Sequence, residues 1–250
     1  MICTLTIVRY PRFLGWAGFL SMGFLRIPLL FNRQISFWKL LGCGKNGAFD
    51  IYPDWRQWGI LTIRNKFSIT NKMINVGGKI NHKSLYGNFI KVWWNFFRCE
   101  TYTILLEPIE GHGLWDGKER FGSLPRETSY DGKIAILTRA TIRINRLKHF
   151  WKHVDAVSAQ MRNANGFVFS VGIGEMPWIK QSTFSVWESK EKMKQFAYKI
   201  KEHTDVIRKT KKENWYSEEM FVRFKLIGSF GSLYDVDLLK QRVDINSVKD

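Results

Sequence analysis

One histidine of this 250-residue chain stands where an aliphatic residue would be expected. In the segment MKQFAYKIKEHTDVI, the residues Met193, Phe196, Ile200, His203 and Ile207 follow one another at steps of three and four, and three lysines lie among the positions between them. This spacing is typical of a helix that buries one face. A histidine on a buried face is either a core residue whose ring nitrogens are hydrogen-bonded, or an imidazole that binds haem iron axially from an apolar cleft.

The haem interpretation assigns a role to each neighbour of His203. Phe196, Ile200 and Ile207 would contact the porphyrin, and the surrounding lysines and arginine would meet its propionates. The second ring nitrogen of an axial histidine lets neighbouring groups tune the metal. From the residues alone, both interpretations of His203 stay open.

Other patterns with chemical potential are weaker. His149 and His153 are four residues apart, a spacing at which two helical residues can share a metal, but they lie off the apolar stripe and no HExxH signature is present. We interpret them as surface histidines. The stretch GIGE (172–175) ends a strand without opening a helix, so it is not a phosphate loop. Without a Gly-x-Ser-x-Gly elbow or a cysteine with an evident histidine partner, hydrolytic and thiol catalysis have no support.

The elements that must position these residues occur twice in the order β-α-β-β-α-β. The first pass consists of a strand at 4–10, a helix at 12–25, the strands ISFWKLLGCG and WGILTIRNK, a helix at 83–98 and the strand TYTILLEPI. The second consists of KIAILTRATI, a helix striped by Leu147, Phe150, Trp151, Val154, Val157 and Met161, the strands GFVFSVGIGE and STFSVWES, the His203 helix and EMFVRFKLIGSFG.

A split β-α-β unit repeated in tandem is the ferredoxin-like plan. Each unit alone leaves one sheet face bare, so two units in one chain are predicted to bury these faces and form an α/β barrel of the dimeric α/β barrel type. The predicted modules are residues 1–115 and 133–235, with the haem site on the second, followed by a polar tail at 236–250. In the first module, Leu85, Phe89, Val92, Trp93 and Phe96 are predicted to form the buried stripe of the 83–98 helix.

The apolar segment FLGWAGFLSMGFLRIPLLF (13–31) resembles a membrane span at first sight. Arg26 and Pro28 interrupt it, no cleavage site follows, and a strand precedes it. We therefore expect a buried or interface-lying helix on the first module. Cys3, Cys43 and Cys99 are widely spaced and form no CxxC pattern, which indicates reduced thiols in an intracellular protein.

The charge of the chain restricts its partners. A formal net charge of +17 attracts polyanions, either nucleic acid or an anionic membrane surface. No RNP-type strand, zinc-finger spacing or basic heptad accompanies the charge, so we expect no nucleic-acid partner. The eleven tryptophans suit core packing, pocket walls or the headgroup region of a membrane.

Several stretches of the chain resemble the spheroidene monooxygenase family, the oxygen-dependent 2-ketolases of acyclic carotenoids. The resemblance runs from about residue 5 to residue 231, and its motifs are specific only in combination. They are FWKLLGCG at Phe37, LLEPIEGHGLWDG at Leu105, GIGEMPWIKQSTFSVW at Gly172, and FAYKIKEHTDVI followed by NWYSEEMFVRF between Phe196 and Phe224.

This resemblance implies a haem b with His203 as its axial ligand, and it favours that interpretation over a core histidine. Gln181 or Arg223 is expected to supply the polar group above iron-bound oxygen. Pocket residues are expected in the matching stretches: Phe196, Ile200, Ile207, Phe184, Trp187, Trp215 and Trp38.

The predicted function is haem-dependent oxygenation of an apolar, carotenoid-like substrate by dioxygen or peroxide. Reducing equivalents would come from a separate electron donor, because the chain has no flavin or nicotinamide fingerprint. We expect a cytoplasmic protein with peripheral contact to the inner membrane surface. The alternatives are a haem enzyme of the same fold on another substrate (a peroxidase, or a dehydratase acting on an N–O bond), a non-catalytic binder of haem or apolar ligands, and a basic nucleic-acid-binding protein.

Overall fold

The computed structural model describes residues 1–45, 49–65, 80–199, 213–234, 237 and 239. The strands are β1 (Ile2–Arg9), β2 (Ile35–Gly44), β3 (Pro53–Arg64), β4 (Glu100–Gly113), β5 (Ile134–Ile142), β6 (Phe167–Met176), β7 (Lys180–Trp187) and β8 (Tyr216–Gly231). The helices are α1 (Gly15–Phe24), α2 (Arg26–Leu30), α3 (His82–Tyr86), α4 (Asn88–Phe96), α5 (Leu147–Arg162) and α6 (Lys190–Lys199).

The strands are hydrogen-bonded in the order β1-β3-β2-β6-β7-β5-β8-β4, and β4 pairs back to β1. Each pairing with a described register is antiparallel. This closed antiparallel order, with helices in the connections, confirms the predicted class of an α/β barrel built from ferredoxin-like repeats.

The described residues divide into two compact units. Unit 1 contains residues 1–41, 55–107 and the described residues from 227 onward, and unit 2 contains residues 42–54 and 108–226. The strands β2, β3, β4 and β8 therefore contribute residues to both units. The module boundaries that we predicted from the sequence stay a prediction.

Unit 1 is organised around β1, which pairs with β3 on one side and β4 on the other, so that Leu5 lies opposite both Leu61 and Ile104. Alternate residues of β1 face the helices. There, Thr4 and Thr6 each hydrogen-bond to the buried Tyr86 hydroxyl, at 3.1 and 2.7 Å. Buried polar groups need such partners, so this ladder ties α3 to the sheet.

The stripe predicted for the 83–98 helix is wrong in most of its members. Gly87, at φ +91°, separates α3 from α4, so the segment is not one continuous helix. Ile90 and Trp94 are buried instead, whereas the predicted stripe residues Phe89 and Phe96 are 50% and 77% exposed. Since the apolar residues of α4 cover more than half of its circumference, with Asn88, Lys91 and Asn95 on the remaining side, the spacing alone fits more than one buried face.

In unit 2, β5 lies between β7 and β8. The predicted stripe of α5 is confirmed, because Phe150, Val154 and Met161 are buried. The helix predicted to carry His203 is present as α6 up to Lys199, and Ile200, His203 and Ile207 lie outside the described residues.

The apolar segment 13–31 is helical, as predicted, in the form of α1 and α2. It packs on the unit 1 core through Ala17, Leu25 and Leu29. Among the residues that the structure describes, no helix combines the length and the hydropathy that crossing a bilayer requires.

Candidate functional site

Two of the predicted pocket residues contact each other. Phe196 of α6 packs on Trp187 of β7, with ring centroids 5.2 Å apart and ring planes inclined by 30°. Both belong to a buried cluster that also contains Ile134, Met161 and Met193. Through this cluster, α6 packs on the face of the unit 2 sheet that carries the side chain of Trp187.

The remaining predicted pocket residues lie elsewhere. Phe184 is buried on the opposite face of β7 from Trp187, since side chains alternate along a strand. Trp215 belongs to another cluster of unit 2, where the ring of His153 stacks on it at 5.9 Å. Trp38 is half-buried on β2 and packs against the core of unit 1.

The two residues predicted to be catalytic differ in their surroundings. The Nε2 atom of Gln181 donates to the carbonyl of Met176 at 3.0 Å, across the β6–β7 hairpin. Arg223 is buried, and its Nη1 donates to the carboxylate of Glu110. Its Nε has no hydrogen-bond partner among the described residues.

Glu110 is the centre of a buried ionic group in unit 2. Its side chain accepts hydrogen bonds from Lys190 Nζ at 2.5 Å, from the backbone N–H and hydroxyl of Thr128 at 2.8 and 3.0 Å, and from Arg223. Burial by itself would raise the pKa of Glu110, but these donors lower it to about 2. The carboxylate therefore remains charged and holds two cations at the start of α6 and on β8.

A second ionic group of unit 2 surrounds Arg139 of β5, whose side chain is fully buried. Its Nε donates to Glu175 at 3.1 Å, its Nη1 donates to Glu218, and its Nη2 is 3.6 Å from Asp116. Lys180 Nζ approaches the same Asp116 oxygen at 2.9 Å. The guanidinium thus brings together three carboxylates that come from distant parts of the chain.

A tight turn at Asp116 and Gly117 completes the Arg139 group. Both residues have positive φ, 51° and 70°, a conformation that an Asp-Gly pair adopts readily. Their backbone N–H groups donate to the two carboxylate oxygens of Glu218 at 3.1 and 2.7 Å. Burial would raise the pKa of Glu218, but these bonds and Arg139 lower it. Next to the turn, Trp115 Nε1 donates to Glu175 at 2.8 Å.

The predicted site residues did not include Arg139, Glu110, Glu175 or Glu218. A signal was available: an arginine inside the apolar strand KIAILTRATI is costly to bury unless carboxylates pair with it. The identity of those carboxylates had no comparable signal.

The described histidines do not form a metal centre. His82 is packed between Tyr86, Trp94 and Phe230, and its Nε2 is 3.1 Å from the Thr103 hydroxyl. Burial, with a smaller contribution from Lys91, lowers the pKa of His82 to about 4. Among the described residues, no three histidine, cysteine or acidic side chains are placed to bind one metal ion.

Comparison with known proteins identifies the family. The spheroidene monooxygenase of Rhodobacter capsulatus is 32% identical over 223 residues, which are 87% of this chain and 86% of that protein. The chain belongs to the spheroidene monooxygenase family. The Cereibacter sphaeroides spheroidene monooxygenase is 31% identical over 235 residues, 91% of this chain and 67% of that protein. No family model matches the chain.

Solved structures agree on the fold. The crystal structure of an aldoxime dehydratase has a TM-score of 0.63 at 8% identity, and covers 97% of this chain and 87% of that one. A second aldoxime dehydratase, in complex with butyraldoxime, has a TM-score of 0.60 over 97% and 85% of the two chains. At this level of identity the likeness concerns the fold alone.

Membership of the spheroidene monooxygenase family supports an enzyme of the oxygenase type. The stretches that carry the resemblance also converge on the Arg139 group. GHGLWDG supplies Trp115 and Asp116, GIGEMPWIKQ supplies Glu175 and Lys180, and NWYSEEM supplies Glu218. Three separate motifs therefore contribute side chains to the same ionic group in unit 2.

The residues around α6 are chemically compatible with the haem that the resemblance implies. Met193, Phe196 and Trp187 are buried apolar side chains, the residue types that contact a porphyrin. Arg223 is buried with its Nε unpaired and lies 4.8 Å from the ring of Phe221, a residue packed on the same cluster. Such a cation suits a propionate or a polar ligand. A haem iron with one axial imidazole does not need a cluster of three ligating side chains.

Proposed function

We propose that this protein is a haem-dependent monooxygenase that oxygenates an apolar, carotenoid-like substrate. The observation that carries the proposal is the 32% identity to a spheroidene monooxygenase over 86% of that protein. The apolar cluster beneath α6 supports it, because an apolar substrate and a porphyrin both require such walls.

In this proposal His203 is the axial ligand, since it follows Phe196 within the matching FAYKIKEH segment. When bound, haem would supply the activation of dioxygen or of a peroxide. Phe196, Ile200 and Ile207 would provide apolar contacts and exclude water. Trp187, Phe184 and Trp215 would serve as further apolar walls.

Arg223 is our first candidate for the polar residue of the site. Glu110 holds its Nη1, so the guanidinium is oriented by a buried charge while its Nε stays available as a donor. Gln181, the second candidate, has its Nε2 engaged with the Met176 carbonyl. Arg223→Lys would keep the charge but lose the planar geometry of the guanidinium.

The proposal also requires a reductant. Monooxygenation with dioxygen consumes two external electrons, and the sequence has no fingerprint of a flavin or nicotinamide site. A separate electron donor would supply them, whereas a peroxide would make the donor unnecessary. Turnover with dioxygen plus a reducing system, compared with turnover with hydrogen peroxide alone, distinguishes the two routes.

The absorption spectrum of the purified protein tests the cofactor. We expect a Soret band whose intensity corresponds to one haem b per chain, and we expect His203→Ala to lose the haem or shift the band. His149→Ala and His153→Ala are the matched controls, because both histidines lie on α5 and should leave the spectrum unchanged. An unaltered spectrum in His203→Ala would exclude His203 as the ligand.

Product analysis tests the substrate class. The haem-loaded protein, given an acyclic carotenoid, oxygen and a reductant, should yield an alcohol with oxygen derived from dioxygen. A second monooxygenation of the same carbon, with two more electrons from the reductant and loss of water, should then give the ketone. Conversion of an alkyl aldoxime to a nitrile, with no oxygenated carotenoid, would instead support the alternative of a dehydratase of the same fold. Haem binding without either reaction would favour the non-catalytic binder.

A further inference from the structure

Unit 1 exposes large apolar side chains over the outer sides of α1, α2 and α4. We call this set the aromatic face. Phe13 is 85% exposed, Phe31 81%, Phe96 77%, Trp16 57% and Phe24 48%, and their apolar neighbours are also exposed. Single exposed apolar residues are ordinary on a soluble protein, but a group concentrated on neighbouring helices marks an interaction surface.

Ring contacts make the aromatic face contiguous. The ring centroid of Phe97 is 5.9 Å from that of Trp16, 5.0 Å from that of Phe96 and 4.9 Å from that of Trp93. The ring centroids of Trp93 and Phe24 are 5.7 Å apart. The rings of α1 and α4 are therefore parts of one surface within unit 1.

The helix α1 is apolar on both sides. Its sequence GWAGFLSMGF contains no charged residue. Ala17 and Ser21 face the core, and Trp16, Phe19 and Phe24 face away from it. A helix that is apolar all round is expected inside a protein core or in lipid. The short α1 cannot span a bilayer, so lying in the interface is the membrane arrangement open to it.

The described residues of the two stretches that carry the aromatic face include cations but no anions. Residues 1–49 and 80–99 contain no aspartate or glutamate. The exposed charged residues beside the face are all cations: Arg12, Arg26, Arg33, Lys83 and Arg98. By contrast, the exposed residues of α5 in unit 2 are mostly polar or charged. Apolar rings beside these cations complement a surface of acyl chains beneath anionic headgroups.

We propose that the aromatic face docks this protein on an anionic lipid bilayer, with the rings of α1 and α4 and those of Phe13 and Phe31 at the level of the headgroups. A second copy of the chain fits less well, because a two-fold dimer through this face would bring like charges together. The inference rests on unit 1 alone and does not depend on the haem. If the proposed function also holds, the same bilayer would hold the apolar substrate.

Co-sedimentation with vesicles tests the surface. The probe is a vesicle of equal parts phosphatidylglycerol and phosphatidylcholine, compared with pure phosphatidylcholine. We expect binding to the anionic vesicles at low salt and release at high salt, because the Debye length falls from about 10 Å at 0.1 M to about 3 Å at 1 M. Failure to bind anionic vesicles at low salt would overturn the proposal.

Two variants separate the contributions of the apolar rings and of the cations to vesicle binding. The triple variant Phe13→Ser, Phe31→Ser, Phe96→Gln removes the three most exposed rings, and each change leaves the fold intact because the side chain makes little core contact. We expect its vesicle affinity to fall at least about tenfold. The double variant Arg12→Gln, Arg33→Gln should fall about thirtyfold, from about 1 kcal/mol per cation.

The matched control changes exposed residues of unit 2: Ile144→Ser together with Lys148→Gln and Lys152→Gln. It removes one exposed apolar side chain and two cations that lie outside the aromatic face. Its vesicle affinity should therefore stay within about twofold of that of the parent protein. An equal loss in the control and in the double arginine variant would overturn the proposal, because binding would then follow net charge and not the position of the cations. Light scattering measures the oligomeric state of the free proteins. If the parent is a dimer and the triple variant is a monomer, the aromatic face binds a second copy of the chain and the proposal is wrong. The haem spectrum of each variant should not change, which separates docking from the cofactor.

Discussion

Arg139 donates through Nε to Oε1 of Glu175 at 3.1 Å, and the arginine is completely buried. The Nε1 of Trp115 donates to the same oxygen at 2.8 Å, so the carboxylate is oriented by two buried donors. The Arg139 group therefore couples β5, β6 and the turn after β4 within unit 2. Removing the shared cation should affect all three.

Arg139→Leu should lower the free energy of unfolding by about 3–5 kcal/mol, because it leaves the carboxylates of Glu175 and Glu218 without their buried partner. Urea unfolding followed by tryptophan fluorescence measures this change. The control is Lys180→Gln, whose partly exposed ion pair with Asp116 should contribute at most about 1 kcal/mol. A cost below about 1 kcal/mol for Arg139→Leu would contradict the assigned role.

Glu110 should make the protein sensitive to strong acid. Its pKa in the folded protein is about 2, below the ordinary 4.5, so its contribution to stability is present above pH 4.5 and is lost as the pH falls toward 2. That contribution is about 3 kcal/mol near neutral pH. Parallel unfolding curves of the parent and Glu110→Gln should differ most at neutral pH and converge below pH 4.5. A difference that does not depend on pH would rule out the carboxylate charge as the cause.

His82 should make the stability of the protein depend on pH over a higher range than Glu110 does. Burial keeps its pKa near 4 in the folded protein, against 6.5 ordinarily, so the unfolded chain binds a proton first as the pH falls. Stability should therefore decline between pH 6.5 and 4, by up to about 3 kcal/mol. His82→Gln, which lacks the titrating ring, should show a smaller decline. An NMR titration of the His82 ring gives an independent value, and a midpoint near 6.5 would refute the prediction.

Gly113 should be intolerant of a side chain. Its φ is +88°, and a Cβ atom there would lie 2.2 Å from the carbonyl oxygen of Glu219. Gly113→Ala should destabilise the protein by more than about 2 kcal/mol, because strained φ and a backbone clash add. Gly23, in helix α1, has no atom within 4 Å of an added Cβ, so Gly23→Ala should stabilise by up to about 1 kcal/mol. Thermal unfolding of the two variants gives the comparison, and equal melting temperatures would be inconsistent with it.

The repeated order of strands and helices followed from the sequence because its signals are local. The apolar run of KIAILTRATI, and the spacing of Phe150, Val154 and Met161 on one side of a helix, are properties of neighbours along the chain. Both elements occur where the spacing predicts them. The same reasoning failed for α4, where Gly87 ends one helix and an apolar side wider than half the helix leaves the buried face undefined.

The amino-acid sequence by itself determined the fold class, the elements and the family, because periodicity and motif order are encoded in short stretches. It left open which charges meet. Arg139 pairs with Glu175 and Glu218, 36 and 79 residues away, and Arg223 pairs with Glu110, 113 residues away. The same holds for the aromatic face, which exists only because α1 and α4 pack side by side with their rings outward. Such pairings depend on strand register and helix packing, and these are set by the whole core at once, so only the tertiary structure could decide them.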